Sequence, residues 1–228
     1  MNQMHVINHA LQQWATWDAL GFAERDAIVA RWAQNLNDQA AQQMIAFQRL
    51  CAAEHMAQTQ VMPGPTGELN ELYCCGRGVF IIHAEADAPL SATVAALSAA
   101  LLAGNTVVLA LPEGQVPGAN ALAQALVQAG CGRDVVQVAP VADLHQLITH
   151  PLLAGFAYAG TAATAHDWLN RLAQQEGALT QLVAETDPTT LSTVGESTYC
   201  LRFVTERTRS INLTAIGGNA SLMESSHA

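Results

Sequence analysis

Apolar residues recur at helical spacing from residue 7 to residue 58. Trp14, Trp17 and Leu20 fall on one stripe, and Ile28, Trp32 and Leu36 continue it in a second segment. Gly21 separates the two helices, and Glu24 and Asp26 place acids in the first turn of the second, where the helix dipole favours negative charge. The pattern stops at Pro63-Gly64-Pro65-Thr66-Gly67, which cannot continue a helix. Beyond it the rhythm changes. Leu69–Cys75 reads as an edge strand, Val79–His83 as a short buried strand and Leu90–Ala103 as a helix. Thr106–Leu111 is a strand, Ala119–Ala129 a helix closed by Gly130, Val135–Ala139 a strand and Leu144–Thr149 a short helix. Gly155–Tyr158 is a strand, Thr164–Glu176 a helix ended by Gly177, and Leu179–Ala184 a strand.

Strands separated by helices of this length indicate βαβ units. The expected fold is therefore α/β, a Rossmann-like parallel sheet of about five strands flanked by helices, with right-handed crossovers. From Asp187 the alternation breaks down. Tyr199–Val204 and Ser210–Ile216 look like strands, and Gly217-Gly218-Asn219 is a turn signal. This tail has no helix to pair with and is expected to project as a β-flap. The division expected is an N-terminal helical segment over 1–60, a Rossmann domain over 61–186, and a flap and tail over 187–228.

Composition narrows the function. Half of the 228 residues are hydrophobic and only 12% are charged, which suits a well-buried core. The net charge of −10, with nine basic residues that do not cluster, disfavours nucleic-acid binding. No membrane span and no N-terminal signal peptide are expected. The five cysteines at 51, 74, 75, 131 and 200 lack C-x-x-C spacing, which suits reduced thiols in a cytoplasmic protein. Cys74 and Cys75 point to opposite faces if they lie on a strand, against a joint metal site. His83, Glu85 and Asp87 alternate at the carboxyl end of a strand, where parallel sheets bind ligands, but a solvated strand end is the plainer reading and no metal is expected.

Two stretches carry a family resemblance. Gly104-Asn105-Thr106 entering a strand, and Gly160-Thr161 between a later strand and a helix, resemble in that order the nucleotide-binding domain of the aldehyde dehydrogenase superfamily. The resemblance implies that Glu113 faces the adenine ribose and that Gly160 and Thr161 cover the pyrophosphate, a vestigial NAD site. The ribose lysine of the family is replaced by Ala110. Its oxyanion asparagine is replaced by Asp87, an anion where a donor is required. Its general-base glutamate falls on Leu182 in Leu182-Val183-Ala184-Glu185. Cys200 sits in an ordinary strand context, so no activated nucleophile with a nearby base is found. The family's enzymes need a second large domain carrying that nucleophile, and none is legible in this chain.

The second stretch is more specific. Pro63 to Asn70, together with Glu206-Arg207-Thr208-Arg209-Ser210-Ile211-Asn212 and Ala215 to Met223, closely resembles the C-terminal domain of long proline utilization A proteins. Those combine proline dehydrogenase with pyrroline-5-carboxylate dehydrogenase. The resemblance covers roughly residues 60–223, and residues 1–58 match loosely as a helical lead-in. It implies a non-catalytic accessory domain of proline catabolism whose flap acts as lid and oligomerisation element, with no catalytic residue and no cofactor of its own. Arg207, Arg209, Asn212, Gly217, Gly218 and Asn219 would form the docking face. The expected partners are a second copy in a homodimer and a proline utilization A or pyrroline-5-carboxylate dehydrogenase subunit. The alternatives are an NAD-linked pyrroline-5-carboxylate dehydrogenase, with Cys131 or Cys200 as the candidate nucleophile, and an NAD-sensing module.

Overall fold

The computed structural model describes residues 4–213. Three helices lead: α1 (His5–Ala19), α2 (Gly21–Gln34) and α3 (Gln39–Met56). Gly21 adopts φ +76°, the left-handed conformation that lets the chain turn sharply between α1 and α2. Strands β1 (Gln60–Met62) and β2 (Glu68–Gly76) follow, with Pro63–Gly67 between them. The α/β series is β3 (Val79–Ala84), α4 (Leu90–Ala103), β4 (Thr106–Leu109), α5 (Val116–Gln128), β5 (Val136–Val138), α6 (Leu144–Leu147), β6 (Leu153–Ala159), α7 (Ala162–Ala173) and β7 (Gln181–Glu185). A 3₁₀ turn over Tyr199–Phe203 precedes β8 (Val204–Asn212).

The main sheet has five parallel strands in the order β5-β4-β3-β6-β7. The chain winds outward from β3 to β5, then returns to the other side of β3 for β6 and β7. Successive strand residues point to opposite faces. Phe80, Ile82, Val107 and Leu109 join α2–α5 in one core, while Val79, Ile81, Val108 and Phe156 join α6 and α7 in the other. Burial on both faces is why these strands are almost wholly apolar. Helix α4 is hydrophobic all round for the same reason: its residues from Ala92 to Ala103 are buried. Ser98 is accommodated because its hydroxyl donates back to Val94 O and Ala95 O.

The N-terminal helices are part of this core rather than an appendage. Ile7 and Ala10 of α1 pack in one layer, and Trp17, Trp32 and Ile45 in the other. Trp17 Nε1 donates to Leu101 O, and Arg25 Nε to Leu102 O. Asp18 accepts from Gly76 N at 3.0 Å. Among the described residues no helix is long and apolar enough to cross a membrane.

Three expectations change. Tyr199–Val204 is not a strand: Tyr199, Cys200 and Phe203 form a turn buried against α3 and α4, and the Phe203 ring lies 5.0 Å from that of Phe80. Residues 187–203 therefore contribute to the core instead of projecting. Leu69–Cys75 is not an edge strand: β2 is the middle of a second, antiparallel sheet, β1-β2-β8. The second tail strand does not begin at Ser210, because one ladder runs unbroken from Gly76↔Val204 to Glu68↔Asn212. Gly217, Gly218 and Asn219 lie outside the described residues.

Candidate functional site

Strand order reverses between β3 and β6, and in open parallel sheets the carboxyl ends at such a point form the ligand crevice. Two segments of the sequence reading meet here. Glu85 follows β3, Gly160-Thr161 follow β6, and Glu85 N donates to Ala159 O to extend the β3–β6 ladder. Thr161 caps α7, its Oγ1 accepting from Thr164 N. The exposed amides of such a helix start attract anions. That anion is supplied by the chain: Thr161 N donates to Glu85 Oε2 at 3.3 Å, and Tyr158 Oη donates to Glu85 Oε1 at 2.5 Å. Burial pushes the Glu85 carboxyl up, but hydrogen bonds from Tyr158, Thr164 and Thr161 outweigh it, and the net shift is downward. Tyr158, buried and beside that carboxylate, is pushed up to about 12 and stays a donor. A side chain on Gly160 would collide with Tyr158 Oη and with Glu85 Cδ at 2.6 Å.

His83 lies below them, 8% exposed and among Phe156, Tyr158 and Trp168. Its Nδ1 faces Ala110 O at 2.6 Å, and a carbonyl can only accept, so Nδ1 carries the proton. Burial lowers its pKa, against the opposing pull of Ala110 O and Glu85. Asp87 is exposed on the loop beyond. Among the described residues no three His, Cys, Asp or Glu side chains are grouped as a metal would need.

The remaining predicted positions separate. Glu113 lies on the rim of a slot of about 290 Å³ with Val116, Asn120, Val138 and Pro140, past the ends of β4 and β5. Ala110, where a ribose lysine would stand, is fully buried. Asn105 has no free polar atom for a ligand: its Oδ1 accepts from Arg77 N and Gly78 N, and its Nδ2 donates to Ala100 O and Phe203 O. Gly104 at φ +95° and Thr106, bonded to Ala10 O, complete a structural turn. Glu185, 3% exposed, accepts from Asp187 N, Thr193 N and Val194 N, which fixes the loop after β7.

The cysteines are not activated. Burial pushes the thiols of Cys51, Cys74 and Cys75 up, that of Cys131 to about 12 and that of Cys200 to about 11. On β8, Arg209 Nε donates to Glu71 Oε2 at 2.7 Å, so this arginine is held within the chain. Arg207 is exposed, opposite Tyr73 in register. Asn212 is exposed at the far end of β8.

Residues 38–188 match the sequence profile of the aldehyde dehydrogenase family. The chain belongs to that family. No curated protein sequence matches it. Among solved structures, a bifunctional proline utilization A protein superposes with a TM-score of 0.74 at 24% identity, over 84% of this chain and 23% of that one. A mutant of proline utilization A from Bradyrhizobium japonicum gives the same values. An NAD-dependent benzaldehyde dehydrogenase from Corynebacterium glutamicum gives a TM-score of 0.64 at 19% identity, over 79% of this chain and 45% of that one. The chain thus spans 23% of the length of the proline utilization A chains whose fold it shares.

From the sequence alone Glu85 reads as part of a solvated strand end, not as the anion at the start of α7. The signal was present: an acid just beyond one central strand, and Tyr-x-Gly-Thr at the end of the strand beside it.

Proposed function

We propose that this aldehyde-dehydrogenase-type domain is a non-catalytic accessory unit of proline catabolism, serving as lid and oligomerisation element for a pyrroline-5-carboxylate dehydrogenase. The observation that carries the reading is the nine-residue antiparallel ladder of β2 with β8, standing beside the parallel sheet. On the other side of β2, the edge strand β1 is wholly exposed, with Val61 71% and Met62 41% accessible. Apolar side chains on an exposed edge strand invite strand pairing with another chain. The surroundings agree: Glu185 is committed to a loop, Asp87 offers no donor, and all five thiols lie above the range of a thiolate at neutral pH. A homodimer through the flap follows from the same edge. The alternative of an NAD-linked dehydrogenase needs an activated thiol that the chain does not offer.

The test is oxidation of pyrroline-5-carboxylate with NAD, by this protein alone and then mixed with a proline utilization A enzyme lacking its own C-terminal domain. Silence alone and faster coupled turnover in the mixture are expected. Turnover by the protein alone, or a mixture no faster than the truncated enzyme, overturns the reading.

A further inference from the structure

We infer that the Glu85 carboxylate stands in for the phosphate of a dinucleotide at the start of α7, so that the family's cofactor seat in this chain is closed by its own side chain. This rests on the geometry at the switch point and holds whether or not the domain serves as a lid.

The seat is the one the topology provides, between the carboxyl ends of β3 and β6. Its donor is taken, because the Thr161 amide that opens the helix already bonds Glu85. Its space is taken, because the gap left by the missing side chain of Gly160 is filled by Tyr158 Oη and the Glu85 carboxylate. A glycine before a helix commonly allows a phosphate to approach the backbone; here it allows two side chains of the same chain to do so. A diphosphate entering this seat would meet a carboxylate already held by Tyr158 and the Thr161 amide, a like charge at the helix start that favours an anion. On these observations the residues present do not fit a dinucleotide.

The prediction is a gain of anion binding when the carboxylate is removed. The full chain as wild type, Glu85→Ala and Glu85→Gln would be titrated with inorganic pyrophosphate and with NAD by calorimetry, with the Thr161 amide followed by NMR. The wild type should give no saturable response to either at millimolar concentration. Glu85→Ala should bind pyrophosphate roughly tenfold or more tightly than any limit set for the wild type, with the Thr161 resonance moving. Glu85→Gln keeps the size and the Tyr158 hydrogen bond, so it should fold and gain a smaller response of the same kind. Saturable binding of NAD to the wild type overturns the inference. So does a folded Glu85→Ala as unresponsive as the wild type, or binding that leaves the Thr161 amide unmoved. Should Glu85→Ala not fold, silence of Glu85→Gln overturns it as well.

Discussion

At Asn105 one side chain uses both lone pairs of its oxygen and both hydrogens of its amide, and joins the end of α4, the turn before β3 and the 3₁₀ turn before β8. Removing it leaves the Arg77 and Gly78 N–H groups and the Phe203 carbonyl without that partner in a buried site, while Ala100 O keeps the backbone N–H of Asn105. Asn105→Ala is expected to cost about 3 kcal/mol or more, read as a lowered denaturant midpoint with unchanged slope. Acid should act at two other residues. His83 is held neutral with its pKa depressed, so the unfolded chain takes up the proton first. The stability His83 contributes is complete above the ordinary histidine range near 6.5 and is lost as pH falls through the lower folded value. Glu85 repeats this below about 4.5, where its favoured carboxylate must be protonated. Melting temperature followed from about pH 8 to about pH 2 should show both losses, and His83→Phe should flatten the first alone. Much of this was illegible from the chain. Gly160-Thr161 before a helix reads alike whether a phosphate or a carboxylate fills the space. The acid that fills it lies 76 positions away and becomes a neighbour only through the pairing of β3 with β6.

The elements differ in how openly the sequence announces them. Helix α4 falls on the bounds its pattern implies, since Pro89 precedes it and Gly104 stops it in the left-handed conformation. The buried strands are equally plain, being short apolar runs between turns. The flap is not. Strand β1 is three residues long and buries none of them, so it leaves no hydrophobic period to read. Tyr199–Phe203 has the aromatic content of a strand but packs as a turn of helix, because α3 and α4 offer a concave apolar surface rather than a strand edge. What stabilises β8 against β2 can be tested directly. Glu71, 4% exposed, faces Arg209 in register, and the guanidinium also lies 5.8 Å from the Tyr73 ring. An exposed ion pair is worth little, but this one leaves a buried carboxylate when broken. Arg209→Ala should therefore cost about 1–3 kcal/mol in urea unfolding, and adding Glu71→Gln should restore part of it. Equal costs for Arg209→Ala with and without Glu71→Gln would show that the pair does not hold the ladder.

At the scale of the whole molecule, the question is whether the leading helices and the α/β series are one cooperative unit. The sequence suggests a boundary at Pro63–Gly67, where the chain turns from helix to strand, but packing does not follow that boundary. Trp17, Trp32, Ile45 and Ala52 share a continuous core with Phe80, Leu97, Leu101 and Phe203. Polar contacts cross the same line, from Arg25 to Leu102 O and from Gln48 to Val194 O. Without α1–α3 the exposed face of α4 would present a run of Leu, Val and Ala to water, at roughly 25 cal/mol for each Å² uncovered. The four tryptophans allow a direct test, since Trp14, Trp17 and Trp32 lie in α1 and α2 and Trp168 lies in α7. Trp168→Phe reports on the leading helices alone, and a variant with the other three replaced by Phe reports on the far face of the sheet. One unit requires that fluorescence and circular dichroism give the same midpoint in both variants once their stabilities are matched. A chain beginning at residue 61 should then fail to give a cooperative transition and should bind hydrophobic dyes. If the leading helices instead melt first while Trp168 keeps its native signal, the boundary at Pro63–Gly67 is a thermodynamic one, and the α/β series folds without them.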